Sequence, residues 1–421
     1  MGAFVIRGCE IYLGGAFVPA ELEVRGGVVT ALGGGIVPGE GASVYNFKNC
    51  IVVPGLADVH VHLREPGFSY KETVASGTRA AARSGYAALC AMPNLSPVPE
   101  DAATLAQELE IIRRDAVIDV LPYGAITRGQ RGAQLADMSA MSPYVCGFSD
   151  DGRGVQSREL MRAAMLEAKR LGKPIAAHCE DNSLLRGGYI HEGEYAKAHG
   201  HRGICSESEW GPIARDIELL RETGCAYHVC HISTAESAAL IRSAKREGLD
   251  ITCETAPHYL LLSDSDLQED GRFKMNPPLR SERDRLALIE ALRDGTIDIL
   301  ATDHAPHSAE EKSRGLAGSA FGITGLETAF PLLWTGLVEP GIITRERLVE
   351  LMSTAPARRF GIESGIEPGG PATFAVFETE TTYRIDPERF ASKGRATPFA
   401  GREVRGRCVL NIVRGREVWR A

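Results

Sequence analysis

The sequence predicts an α/β protein: a (β/α)8 TIM-type barrel with a small β-sandwich domain built from both chain ends. Three observations lead there. Eight short apolar runs, mostly separated by amphipathic stretches, span about 250 residues, which is the arithmetic of such a barrel. Residues 1–54 show strands and turns without a helical period. The same strand-and-turn character returns after about residue 365. A chain of 421 residues also exceeds what one hydrophobic core supports, roughly 250–300 residues, so a second, smaller unit is expected. The expected division is 1–54 plus 365–421 for the sandwich and 55–364 for the barrel.

The first unit offers strands at 3–6, 21–24, 28–32 and 51–53, broken by Gly14-Gly15, Gly26-Gly27 and Gly33-Gly34-Gly35. The triple glycine lacks a following Lys-Ser/Thr and helix, so it reads as a hairpin or loop and not as a phosphate loop. The barrel strands are expected at 56–61, 86–92, 117–123, 144–148, 174–177, 226–232, 250–254 and 297–302. Their unbroken apolar character suits parallel strands buried on both faces. Helices are expected at 72–84, 102–114, 157–171, 209–223, 234–247 and 282–293. A doubly wound sheet is the alternative, but the Gly-rich dinucleotide fingerprint is missing after the first strand. A long loop (304–325), helices at 326–337 and 345–353, and strands at 373–377, 407–413 and 417–420 complete the chain.

Hydrophobic residues make up 44% and charged residues 24%, which excludes a disordered chain, a fibre or a coiled coil. The net charge of −8 argues against nucleic acid or an anionic membrane as partner. The ten cysteines contain no C-x-x-C pair, and no secretory signal or membrane span is readable. A cytoplasmic protein with reduced thiols is the expectation.

His60-Val61-His62 is the sharpest chemical signal. Strand residues i and i+2 point to one side, so both imidazoles can reach one ion. They close the first barrel strand, at the end where barrel enzymes place active sites. The fourth strand ends in Asp150-Asp151, the fifth in His178, the sixth in His231 and the eighth in Asp303. Imidazole and carboxylate without clustered thiolate suit zinc or another divalent first-row ion. Six ligands exceed one tetrahedral zinc, so a two-metal centre sharing a carboxylate is the natural reading. His228 has the opposite strand parity to His231 and is expected to face the helical layer. His191, His199 and His201 fall in a polar segment and are expected to be solvated. Cys179 and Cys230 are expected to be small packing residues. The segment 182–210 is long enough to cap the site or pack a partner.

The run from Asp58 to Gly67 (DVHVHLREPG) resembles the opening motif of dihydroorotases, in the cyclic amidohydrolase superfamily. Met92-Pro93-Asn94, Asp150-Asp151-Gly152, the segment 275–280 (MNPPLR), the segment 301–307 (ATDHAPH), the segment 321–328 (FGITGLET) and Thr397-Pro398-Phe399 agree in order and spacing. The match is to the longer, type I class. It implies His60, His62 and Asp303 as ligands of a first metal and His178 and His231 as ligands of a second. Asp151 matches the bridging carboxylate, with Asp150 as its alternative. Hydantoinases and allantoinases usually bridge with a carboxylated lysine, and no lysine stands near Asp151.

By the same resemblance His62, Arg64 and Asn94 contact substrate, and the planar fork of Arg64 suits a carboxylate. The bland alternative for Arg64 is a surface salt bridge with Glu65. His307 matches a further carboxylate contact, Asn276 a substrate contact, and Phe321 and Gly322 ring contacts. The loop 314–320 is more glycine-rich than the family's usual form. The implied reaction is reversible cyclisation of N-carbamoyl-L-aspartate to (S)-dihydroorotate in de novo pyrimidine biosynthesis. A metal-activated hydroxide is the nucleophile and Asp303 the general acid/base. One or two Zn2+ per subunit, a homodimer and an aspartate transcarbamoylase complex are implied with it. The rival readings are a hydantoinase or allantoinase, and a non-catalytic scaffold for that transcarbamoylase. No G-x-S-x-G elbow or Walker A loop competes.

Overall fold

The computed structural model describes residues 2–421. Eight parallel strands form the barrel: Leu56–Val61, Tyr86–Ala91, Asp119–Ala125, Gly147–Ser149, Ile175–Ala177, Tyr227–Val229, Ile251–Thr255 and Ile299–Leu300. Each pairs with the next in chain order. A bridge between Val61 and His304 closes the ring, with His62 N donating to His304 O at 2.8 Å. Alternation along the strands separates two cores. Val59, Cys90, Met92, Tyr123, Ala176, Cys230 and Ile299 fill the barrel with Phe360. Leu89, Ile175, Val229 and Leu300 face outward into the larger core that the helices cover.

The helices start where the sequence supplies caps. Thr73, Asp101, Ser157, Thr234 and Ser281 each accept a backbone N–H three residues on, opening Val74–Arg83, Ala102–Asp115, Arg158–Leu171, Ala235–Arg246 and Glu282–Arg293. A satisfied N-cap contributes about 1 kcal/mol and fixes where each helix leaves its strand.

Both chain ends meet in one eight-stranded sheet. Phe4–Leu13, Ala16–Arg25, Val28–Gly33, Ser43–Asn46 and Cys50–Pro54 come from the first part of the chain. Phe374–Glu378, Arg407–Val413 and Arg416–Arg420 come from the last. Cys50–Pro54 pairs antiparallel with Phe374–Glu378, with Val52 opposite Val376. Phe374 and Val376 enter the sheet's own core with Phe4, Ile6, Ile11, Leu410 and Ile412. Ala375 and Phe377 turn to the barrel, where Phe377 stacks on Phe330 with centroids 3.8 Å apart.

Several elements differ from the sequence reading. The first two strands form one long hairpin, turned at Gly14 and Gly15, whose φ values of 56° and 92° suit a two-residue turn. Ser43–Asn46 is an additional strand beside the first. The fourth barrel strand starts later, because Ser142–Tyr144 forms a 3-10 turn. The helix expected at 326–337 begins at Ala329. The helix expected to stop at 353 runs on to Phe360. Its second and third turns widen to a π-helix over Glu350–Thr354, which makes room for Pro356 with its bulky ring and missing N–H. The long segment after the fifth strand is structured: Ile190–His191 pairs with Gly203–Ile204 around a helix, Glu194–His199. Among the described residues no helix is long and apolar enough to cross a membrane.

Candidate active site

Four imidazoles and two carboxylates converge at the C-terminal mouth of the barrel. The register slips between Asp58 and Val61, a bulge in the strand that carries His60 and His62. Asp58 is buried beneath them and accepts from His60 N (3.1 Å) and Thr302 N (3.2 Å), tying the first strand to the eighth. His231 and Asp303 both lie just beyond their strands with left-handed backbone, φ 32° and 48°. That conformation costs a non-glycine residue of order 1–3 kcal/mol, and here it turns both side chains over the barrel mouth.

Asp151 stands at the centre. Its Oδ1 lies 3.3 Å from His60 Nε2 and 3.5 Å from His178 Nδ1 and His231 Nε2, and its Oδ2 lies 3.5 Å from His62 Nε2. Asp303 Oδ1 lies 3.2 Å from His62 Nε2 and 3.5 Å from His60 Nε2. Asp150, the alternative, points away: it accepts from Ile126 N, Thr127 N and the Thr127 hydroxyl.

The histidines are oriented from behind. His60 Nδ1–H donates to Glu254 (2.7 Å) and His62 Nδ1–H to Asn94 Oδ1 (2.8 Å), so both Nε2 lone pairs face the cluster. Glu180 lies 3.5 Å behind His178 Nε2. The buried atoms His60 Nε2 and Asp151 Oδ1 have no hydrogen-bond partner, and His178 Nδ1 faces His231 Nε2 at 2.9 Å. At that separation either one ring donates its N–H to the other or a cation lies between them. Burial opposes charging His60, yet Asp151 and Glu254 overcome it and lift its pKa well above the ordinary value. The same balance lifts His178 to about 10, with Asp151 and Glu180 outweighing burial. Burial would raise the Asp151 pKa, but His60 and the other imidazoles hold it well below the carboxylate range. The cluster therefore favours positive charge. Three-residue groups whose ligand atoms could hold a metal ion are His60–His62–Asp303, His60–Asp151–His231 and, behind the cluster, His60–Cys230–Glu254. The donor set fits a divalent ion.

The residues assigned to substrate lie beside this cluster. Arg64 is buried with φ 62° and donates through Nε to Pro306 O (3.2 Å); Nη2 lies 3.3 Å from His307 Nε2. It makes no salt bridge with Glu65, whose carboxylate instead accepts Val74 N. Burial lowers the Arg64 pKa to about 10, which leaves it charged at neutral pH. Lys71 donates to His307 Nδ1 (3.2 Å), and His307 Nε2–H donates to Phe321 O (2.7 Å). Burial, Arg64 and Lys71 bring the His307 pKa down to about 3, so it is neutral. Asn276 Nδ2 donates to Glu180 Oε1 (2.9 Å), and its Oδ1 has no partner. Phe321 is partly exposed, with Lys274 Nζ 4.5 Å from its ring centroid. Gly322 has φ 129°, and a Cβ there would lie 2.6 Å from Ala305 O. The loop at 314–320 contains a short helix, Gly315–Gly318.

Two histidine expectations are corrected. His228 faces the barrel interior, donating through Nε2 to Glu254 (3.1 Å) and packing on Phe360. Strand alternation ends at Val229, and His231 reaches the site by its left-handed backbone, so its direction does not fix that of His228. His191 is buried at Arg280, where burial and that guanidinium lower its pKa to about 4. His199 is exposed as expected, and His201 is held by Tyr189 and Glu269. Sequence reasoning missed Glu254, Glu180 and Lys71. Glu254 had a readable signal, a carboxylate at the C-terminal end of a strand expected to be buried on both faces, where a buried charge needs partners.

A family model described as Dihydro-orotase-like matches residues 49–237. Dihydroorotase of Bacillus cytotoxicus is 47% identical over 408 residues, covering 96% of this chain and 95% of that protein. Dihydroorotase of Geobacillus kaustophilus is 47% identical over 423 residues, covering 100% and 99%. Among solved structures, L-hydantoinase (dihydropyrimidinase) from Arthrobacter aurescens superposes with a TM-score of 0.88 at 25% identity, covering 100% of this chain and 96% of that one. Nearly half of all residues are thus shared along the whole length with dihydroorotases, against a quarter with the hydantoinase of the same fold, and the chain belongs to the dihydroorotase family.

Proposed function

We propose that this chain catalyses the reversible cyclisation of N-carbamoyl-L-aspartate to (S)-dihydroorotate, using one or two zinc ions, in the cytoplasm. The observation that carries the reading is the position of Asp151, a carboxylate surrounded by four inward-facing imidazole nitrogens with the buried Arg64 guanidinium beside them. His60, His62 and Asp303 would hold one ion and His178 and His231 the other, with Asp151 between. When bound, the ions supply a nucleophile at neutral pH and Lewis-acid polarisation of the ring amide carbonyl. Arg64 pairs with the substrate carboxylate, and the Asn94 amide N–H2, left free by the bond from His62 to its oxygen, supports that grip. Asn276 and His307 complete the polar contacts, and Phe321 and Gly322 cover the ring. Asp303 accepts the proton in the hydrolytic direction and returns it to the departing ring nitrogen. A homodimer, and association with an aspartate transcarbamoylase, are part of the same proposal.

The test is metal content and carbamoyl-aspartate cyclisation on one purified sample, repeated after chelation and zinc return, with hydantoin and allantoin as competing substrates. Metal near two per chain with zinc-restored cyclisation supports the proposal. No metal uptake, or turnover of hydantoin alone, overturns it.

A further inference from the structure

Lys312 closes a short helix, Ala309–Lys312, and is buried. Its Nζ donates to Gly322 O (2.7 Å), Ala320 O (2.8 Å) and Lys274 O (3.0 Å). An ammonium has three N–H donors, and all three end on backbone carbonyls. Among the described residues no carboxylate lies within salt-bridge distance of it. Burial, with repulsion from Lys274, brings its pKa down to about 7 against weaker pulls from Asp270 and Glu311. A lysine is a costly residue to keep there as packing alone.

The carbonyls it gathers are specific. Ala320 and Gly322 flank Phe321, and Lys274 immediately precedes Met275-Asn276. Gly322 N also donates to Lys274 O (3.1 Å), and Phe321 O accepts from His307. One side chain thus joins the two segments that bear Asn276, Phe321 and Gly322. We propose that Lys312 is a positioning residue for the substrate pocket: its ammonium clamps the 320–322 segment to Lys274 and so fixes Phe321 and Gly322 against the substrate ring. This rests on the proposed function for what the loop touches, and the clamp itself rests on geometry.

The test compares zinc-loaded full-length protein with Lys312→Met, which keeps the stem and removes the donors, and Lys312→Arg, which keeps charge and donors. The expected result for Lys312→Met is a KM for dihydroorotate raised about tenfold with kcat within about threefold, the signature of lost uniform binding. Amide exchange accelerates in peptides covering 313–323 and not elsewhere. Lys312→Arg recovers most of the KM. Unchanged KM and unchanged exchange overturn the clamp, as does faster exchange spread over the whole chain. Should Lys312→Met not fold, Lys312→Gln, with two donors on a shorter stem, is judged by the same criteria. A wild-type protein inactive on dihydroorotate sinks the functional reading, while local exchange still decides the clamp.

Discussion

Replacing Glu254 with glutamine removes one charge and leaves the shape of the site. Glu254 is fully buried and accepts from His60 Nδ1 (2.7 Å), His228 Nε2 (3.1 Å) and His231 N (3.3 Å). It holds one imidazole proposed for the first ion and the backbone of another proposed for the second. Burial raises its pKa, but His60 and His228 overcome this, so it is ionised at neutral pH. A hydrogen bond to a charged group contributes about 1.5–3 kcal/mol. Glutamine keeps one acceptor oxygen, so one imidazole bond is lost and the other weakened, a net of about 2 kcal/mol. At 1.36 kcal/mol per tenfold, zinc binds about 30-fold more weakly. This lies within the 10–100-fold range of changes behind metal ligands. The assay is zinc competition with a fluorescent chelator, with circular dichroism to confirm folding. Affinity within about twofold of wild type would refute the orienting role.

Asp303→Asn is expected to keep the fold and most metal while turnover falls about 10²–10⁴-fold, measured at saturating zinc; near-normal turnover refutes the acid/base assignment. Gly322→Ala places a methyl 2.6 Å from Ala305 O and 2.7 Å from Ala305 Cβ at φ 129°, so thermal denaturation should show a loss of about 1–3 kcal/mol and KM should rise. His191 has a folded pKa of about 4 against 6.5 unfolded, so the unfolded chain binds the extra proton between those values. Its contribution is complete above pH 6.5 and is lost as pH falls towards 4, at about 1.36 kcal/mol per unit. Urea titrations from pH 7 to 5 should therefore show a shallower pH dependence in His191→Gln.

The cluster was readable where ligand-type residues coincide with strand ends. His60, His62, Asp151, His178, His231 and Asp303 all sit at or just past C-terminal strand ends, so counting strands was enough to bring them together. Alternation failed at His228 because it was carried past Val229, the last laddered residue, into a left-handed turn. Glu254 carries no spacing motif, since its partner His60 is 194 residues away; Glu180 stands two residues from His178, but its other partner, Asn276, is 96 away. The main helices were legible because their caps are local. The 182–210 excursion was not, because its two-residue strands exist only through the pairing of Ile190 with Gly203. There glycine is needed, as a Cβ at Gly203 would lie 2.3 Å from Glu192 Cα. Pro356 reads as a helix stop, and only the widened turn before it lets the helix continue to Phe360.

The pairing of Val52 with Val376 sets an order of events during synthesis. At roughly 5–20 residues per second the ribosome needs about 15–60 s to make the intervening chain. For that time the 50–54 strand has one unpaired edge and an apolar sequence, Ile51-Val52-Val53, the profile of a self-associating segment. The barrel can close in the interval, because its pairings run between neighbours in the chain. The sheet therefore locks last, and a ribosome stalled late, after the barrel but before 374–378, releases a molecule with its eight barrel strands made and a sticky margin. For such a chain the burden on chaperones falls at the end of translation.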